Sequence, residues 1–139
     1  TVLEYVEGMA ELMAASDLVI CKPGGLTVTE CLCAKAPMIL LGRAYGQENI
    51  NVRMLTSLGA ALHVTTAREL VGAMGHVDAN PAIVEAMLTQ GSFLRRPNAA
   101  IDIARNALRL AAAEPSTDAR MRKKHFLHFY WGHTPAHIR

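Results

Sequence analysis

Residues 17–42, "DLVICKPGGLTVTECLCAKAPMILLG", decide the fold. Four apolar residues, Leu18–Cys21, run without a polar break, the pattern of a strand covered on both faces. Pro23, Gly24 and Gly25 break the run. Thr27–Lys35 has helical character, and Pro37–Leu41 is a second continuous apolar run behind a proline. Strand, glycine turn, helix, strand is the unit of a parallel sheet. The two glycines remove Cβ atoms where the strand hands over to the helix, so a bound anion can come close there.

The pattern continues outward. Val2–Val6 reads as a strand and Met9–Ser16 as a short helix with Met9, Leu12 and Met13 on one face. Asn49–Gly59 reads as a helix closed by Gly59, and Ala61–Val64 as a strand. Helical stretches follow over Ala67–Met74, Pro81–Gln90 and Asn98–Ala113. The expected fold class is α/β, a partial Rossmann-like parallel sheet of four strands, with further strands expected before Thr1. Ligands of such sheets bind beyond the carboxyl ends of the strands. Here those ends are Glu7–Gly8, Lys22–Leu26, Gly42–Glu48 and Thr65–Thr66, where the polar and Gly-rich residues also collect.

Composition narrows the class. The 139 residues are 51% hydrophobic and 19% charged, enough apolar side chain for one globular domain. No apolar run approaches the roughly 20 residues that span a bilayer. The start is acidic and amphipathic, so no signal peptide is expected. A chain that opens on Thr1 is expected to be a piece of a longer protein. Cys21, Cys31 and Cys33 lack Cys-x-x-Cys spacing and sit among apolar residues, which fits free thiols in a reducing cytosol better than disulfides or zinc. The net charge is +2. Residues 113–139 hold Arg120, Arg122, Lys123, Lys124 and Arg139 against Glu114 and Asp118, which makes that segment +3 and the body −1.

"KPGGLTVTE" (22–30) carries two readings. In one, Gly24 and Gly25 open a phosphate cradle whose amides and helix N-terminus hold an anion, with Thr27 or Thr29 adding a hydroxyl. It is neither a Walker A loop nor the Gly-x-Gly-x-x-Gly fingerprint. In the other, the turn is structural: Thr27 caps the helix and Glu30 reaches back to it. Spacing alone leaves both open. Glu30 would repel a phosphate it faced, but a carboxylate one turn further in accepts ribose hydroxyls well. "GRAYGQENIN" (42–51) offers Gln47, Glu48, Asn49 and Asn51 at a helix start, a donor and acceptor set suited to sugar hydroxyls. The plain alternative is a helix N-cap with solvated neighbours. Arg43 is expected to be solvated.

These segments, "VEGMAELMAASDLVICKPGGLTVTECLCAKAPMILL" followed by "GQENINVRML", resemble the carboxyl-terminal half of family 28 GT-B glycosyltransferases. Members include the monogalactosyl- and processive glucosyl-diacylglycerol synthases and the GlcNAc transferase of peptidoglycan lipid II; "GQE" leans towards the diacylglycerol branch. The resemblance covers Val2 to about Ala112. It implies that the backbone near Val6 borders the uracil with Met9 nearby, that Gly24, Gly25, Leu26 and Thr27 approach the diphosphate, and that Glu30 takes the ribose hydroxyls. Gln47, Glu48, Asn49 and Asn51 would hold the donor sugar. The sequence departs from the family at Lys35, where a glycine is usual and a left-handed residue is implied, and at Gly42 and Ala44, where a proline is common.

The resemblance implies a UDP-sugar-dependent transferase moving a hexose to a lipid acceptor such as diacylglycerol, with no cofactor and no metal. The family's amino-terminal domain, expected to supply the acceptor site and catalytic base, has no counterpart in these residues. A truncated nucleotide-sugar-binding remnant and a UDP-sugar epimerase of the same fold are the alternatives. The expected organisation is a nucleotide-sugar-binding domain over 1–113 and a basic aromatic tail over 114–139. Phe126, Phe129, Tyr130 and Trp131 beside the basic cluster suit peripheral contact with an anionic membrane, or packing on the absent domain. His125, His128, His133 and His137 match no metal template. No nucleic-acid partner is expected. The expected location is cytoplasmic, peripheral on the inner membrane face.

Overall fold

The computed structural model describes residues 1–112. They divide into two compact units, Thr1–Pro97 and the segment from Asn98 onward. The tail residues singled out in the sequence, from His125 to His137 and from Phe126 to Trp131, lie outside the described residues.

The first unit is built around one strand. β1 (Val19–Cys21), β2 (Met38–Leu41) and β3 (Leu62–Val64) form a parallel sheet in the order β1-β2-β3. Met38, Ile39 and Leu40 of β2 are sealed from solvent on both faces, as the continuous apolar run predicts. Side chains of this size contribute about 1.5–3 kcal/mol each when fully buried. Between the strands lie α2 (Gly25–Ala34) and α3 (Gln47–Ser57), and α1 (Met9–Ala14) runs against α2. Met13, Val28, Cys31, Val52 and Leu55 from these helices meet Met38 and Leu40 in the main core. α4 (Ala67–Ala79) runs beside β3 and contacts α5 (Pro81–Leu94), which reaches α2. The second unit contributes α6 (Ala99–Ala112), in which Asp102 and Arg105 pair at 3.6 Å.

Both sheet helices end in the same way. The Ala60 amide donates to the Leu55 carbonyl at 2.8 Å and the Gly59 amide to Thr56 at 3.1 Å, with Gly59 at φ +72°. This paired closure turns the chain directly into β3. At the end of α2 the Ala36 amide donates to Cys31 at 2.9 Å and the Lys35 amide to Leu32 at 3.3 Å. There the left-handed residue is Lys35, at φ 58°.

Three sequence expectations need correction. Val2–Val6 is not a strand: it pairs with none of the described residues, Val2 is 98% exposed and Tyr5 84%. An apolar-rich run makes a strand only where a neighbouring ladder takes up the backbone hydrogen bonds. β1 is consequently the sheet edge, and Ile20 is 39% exposed instead of covered on both faces. The helix expected from Thr27 begins at Gly25, because the backbone of Gly24 already serves as its cap. Among the described residues no helix is long and apolar enough to cross a membrane, and no three metal-ligating side chains converge.

Candidate functional site

At the carboxyl end of β1 the chain passes through Lys22 and the buried Pro23 to Gly24, which is extended at φ −69°, ψ 143°. Gly25 opens α2. Neither glycine has a positive φ, and a Cβ on either would meet no protein atom within 4 Å. Backbone conformation and packing therefore do not call for glycine at these two positions. What the absent side chains leave is open space directly over the first turn of a helix.

That turn presents unused donors. The first helical hydrogen bond runs from the Val28 amide to the Gly24 carbonyl at 3.1 Å, and no side chain caps the helix. The amides of Gly25, Leu26 and Thr27 precede it and have no intrahelical acceptor. They sit at the positive end of the helix dipole, with no acidic residue in the first turn. The expected cap by Thr27 with Glu30 reaching back does not form. Thr27 is half-buried in the first turn. The Thr29 hydroxyl donates to the Gly25 carbonyl at 2.7 Å, whereas the Thr27 hydroxyl has no partner among the described residues. Leu26 is 82% exposed. Glu30 is exposed one turn into α2 and makes no hydrogen bond or ion pair with the other described residues.

The second part of the edge lies after β2. Gly42 and Gly46 both have positive φ, +103° and +54°, and the loop they bound delivers Gln47 to the start of α3. Gly46, not an asparagine or glutamine side chain, is the cap. Gln47 and Asn49 are exposed and Glu48 is half-buried. Asn51, one turn further, does something the sequence did not foretell: its Nδ2 donates to the Pro23 carbonyl at 2.9 Å. This bond ties α3 to the glycine turn, so the two halves of the edge are fastened together. Arg43 is exposed, as expected.

Val6 is half-buried and Met9 is exposed at the first residue of α1. Gly8, at φ +81°, separates them. His63, absent from the sequence-based candidates, places Nε2 2.8 Å from the Gly42 carbonyl. A lone imidazole in the apolar run "ALHV" was the available signal. A cavity of about 110 Å³ is lined by Cys31, Lys35, Met38, Ala60, Met87 and Arg95. It opens at the amino ends of β2 and β3, away from the glycine turn.

Comparison with known proteins bears on this edge. The family model described as the glycosyltransferase family 28 C-terminal domain matches residues 1–87. A processive diacylglycerol beta-glucosyltransferase of Staphylococcus carnosus is 41% identical over 70 residues, covering 50% of this chain and 18% of that protein. The UDP-N-acetylglucosamine--N-acetylmuramyl-(pentapeptide) pyrophosphoryl-undecaprenol N-acetylglucosamine transferase of Azotobacter vinelandii is 31% identical over 105 residues, covering 70% of this chain and 30% of that protein. Among solved structures, MurG of Acinetobacter baumannii superposes with a TM-score of 0.63 at 25% identity, over 74% of this chain and 31% of that one. The chain thus spans less than a third of the length of each of these relatives.

Proposed function

The chain belongs to the glycosyltransferase family 28 C-terminal domain family, and from that premise we propose that it is the donor-binding portion of a UDP-sugar-dependent glycosyltransferase that passes a hexose to a lipid acceptor such as diacylglycerol. One observation carries the reading: Gly24 and Gly25 leave open space over three uncapped amides at a helix start, where neither fold nor packing needs a glycine. A diphosphate fits that corner chemically.

In this reading the amides of Gly25, Leu26 and Thr27 donate to the diphosphate oxygens on which charge builds as the sugar leaves. Fixed donors at a site of developing charge lower the barrier without reorganising. Glu30, without a hydrogen-bond or ion-pair partner among the described residues, accepts the ribose hydroxyls, and Val6 and Met9 border the base. Gln47, Glu48 and Asn49 hold the donor sugar and orient its anomeric carbon. Asn51 joins them through its carbonyl oxygen, since its amide is engaged with Pro23. No step in this account draws on a cofactor or metal. The acceptor site and catalytic base belong to an amino-terminal domain of the whole protein.

The relatives named for lipid-linked acceptors support peripheral membrane contact of the whole enzyme, which we place at the cytoplasmic face. We assign that contact to the tail, residues 114–139, on its basic and aromatic composition. Cosedimentation with phosphatidylglycerol vesicles, lost when Arg122, Lys123 and Lys124 become Glu, tests this part. Equal sedimentation of both forms rejects it.

The donor reading is tested by titrating the chain with UDP, UDP-galactose, UDP-glucose and UDP-N-acetylglucosamine. Glu30→Ala is expected to weaken all four alike by about 1–3 kcal/mol, the range for lost bonds to a charged acceptor. Undiminished affinity in that variant removes Glu30 from the site. No binding of UDP by the unsubstituted chain removes the site itself.

A further inference from the structure

We propose that His63 is a positioning residue for the donor-sugar loop, acting through the Gly42 carbonyl. The inference rests on the donor reading above and adds to it a residue that would touch neither nucleotide nor sugar.

His63 is the middle residue of β3 and pairs in register with Leu40 of β2. Its ring is half-buried, and Nε2 lies 2.8 Å from the Gly42 carbonyl oxygen. The Gly42 amide in turn donates to the Val64 carbonyl at 2.9 Å. Both polar backbone groups of Gly42 are therefore tied to β3. This is the residue where the loop leaves the sheet. Gly42 sits at φ +103°, and a Cβ there would meet nothing, so the glycine answers a conformational demand and not a steric one.

Beyond Gly42 the loop has little to hold it. Arg43 and Tyr45 are exposed, Ala44 packs against the core, and Gly46 again has positive φ. The Glu48 amide donates to the Tyr45 carbonyl at 3.1 Å, closing the turn into α3. The direction in which Gln47 and Glu48 are presented is consequently set at its root, and the carbonyl held by His63 fixes one of the two dihedral angles there. Because the acceptor is a carbonyl, the ring must donate, which selects the Nε2–H form. Both the neutral Nε2–H tautomer and the imidazolium supply that donor.

The test separates sugar from nucleotide. His63→Phe keeps a planar ring without a donor, His63→Leu is a second donor-free form, and His63→Gln keeps an N–H. Affinities for UDP, UDP-glucose and UDP-N-acetylglucosamine are measured by calorimetry on the 139-residue chain, with thermal melts to confirm folding. The donor-free variants are expected to keep the affinity for UDP and to lose about fivefold in affinity for the UDP-sugars, the scale of one neutral hydrogen bond. His63→Gln is expected to recover part of that loss. Equal losses for UDP and UDP-sugars overturn the positioning role and leave a structural one. Unchanged affinities in a folded variant overturn it too, as does an unsubstituted chain that binds UDP and UDP-sugars alike. A chain that does not bind UDP fails earlier, on the donor reading.

Discussion

Asn51 and Pro23 are 28 residues apart in sequence and joined by one hydrogen bond of 2.9 Å, from the Asn51 side-chain amide to the Pro23 carbonyl. Pro23 is the last residue before the glycine turn and Asn51 lies in the second turn of α3. The bond therefore sets the spacing between the two halves of the proposed donor site. Asn51→Ala leaves a half-buried carbonyl without its partner, so unfolding stability is expected to fall by about 1–2 kcal/mol. Affinity for UDP alone is expected to fall as well, since the turn loses its brace. Chemical denaturation and UDP titration of the same variant check both; a destabilised variant with full UDP affinity would show that the turn holds itself.

Gly24 and Gly25 allow the fold and the site to be separated. A methyl group at either position meets no protein atom, and neither backbone conformation favours glycine. Gly25→Ala is expected to leave stability unchanged or raised by up to about 1 kcal/mol, since alanine suits a helix better than glycine. Its affinity for UDP is expected to drop at least tenfold, because the methyl group occupies the space over the amides. Thermal melts with parallel UDP titration read the two effects independently.

Lys35 ends α2 in a left-handed conformation at φ 58°. That conformation costs an L-residue roughly 1–2 kcal/mol, while glycine costs about 0.5–1 kcal/mol in unfolded-chain entropy. The first term is larger, so Lys35→Gly is expected to stabilise by about 0.5–1 kcal/mol. A rise in the urea midpoint at unchanged slope is the measurement.

The α4 start carries a reciprocal cap. The Thr65 amide donates to Glu69 Oε2 at 2.6 Å, the Thr65 hydroxyl to the same oxygen at 3.0 Å, and the Glu69 amide to the Thr66 hydroxyl at 3.2 Å. The Thr65 amide bond, then its hydroxyl bond, holds the Glu69 carboxyl below its ordinary value of 4.5. A depressed folded value means the contribution is present above the ordinary carboxylate range and lost as pH falls through the folded value. Stability is expected to decline on acidification from about pH 4.5 downward, and Glu69→Gln to flatten that decline while leaving its pH 7 stability insensitive to small pH changes. Denaturation midpoints at stepped pH values decide it.

Which of these features the sequence disclosed follows from how local they are. β2 was legible because Met38–Leu41 is an unbroken apolar run behind Pro37, and burial on both faces needs nothing else. The parallel order and the closure at Gly59 followed from equally local signals, and the left-handed Lys35 from the position where the family has glycine. Val2–Val6 misled because a short apolar-rich run describes one strand's preference and not the neighbour it requires. The Thr-x-x-Glu spacing of Thr27 and Glu30 misled because Gly24 began the helix first, whereas the same spacing at Thr66 and Glu69 does form a cap. The Asn51 and His63 bonds reach backbone carbonyls 28 and 21 residues away. Nothing in a local pattern reveals an acceptor that only the folded sheet brings near.

The thiols of β1 and α2 offer a last prediction. Cys21 of β1 and Cys31 of α2 act on each other's thiol, and Cys31 is sealed in the core while Cys21 is half-buried. The Cys31 thiol, donating to its neighbour, holds Cys21 below the usual thiol range; burial opposes this without reversing it. The same bond and then burial push Cys31 far above that range. The thiolate is the nucleophile, so reactivity follows the more acidic and more accessible group. Iodoacetamide at pH 7.5 is expected to alkylate Cys21 well before Cys31 in the folded chain, with the difference abolished in 6 M guanidinium. Cys31→Ala removes the donor and is expected to slow alkylation at Cys21. Peptide mass mapping over time distinguishes the outcomes, and faster labelling of Cys21 in that variant would show that burial by the Cys31 side chain, not its hydrogen bond, governs the thiol.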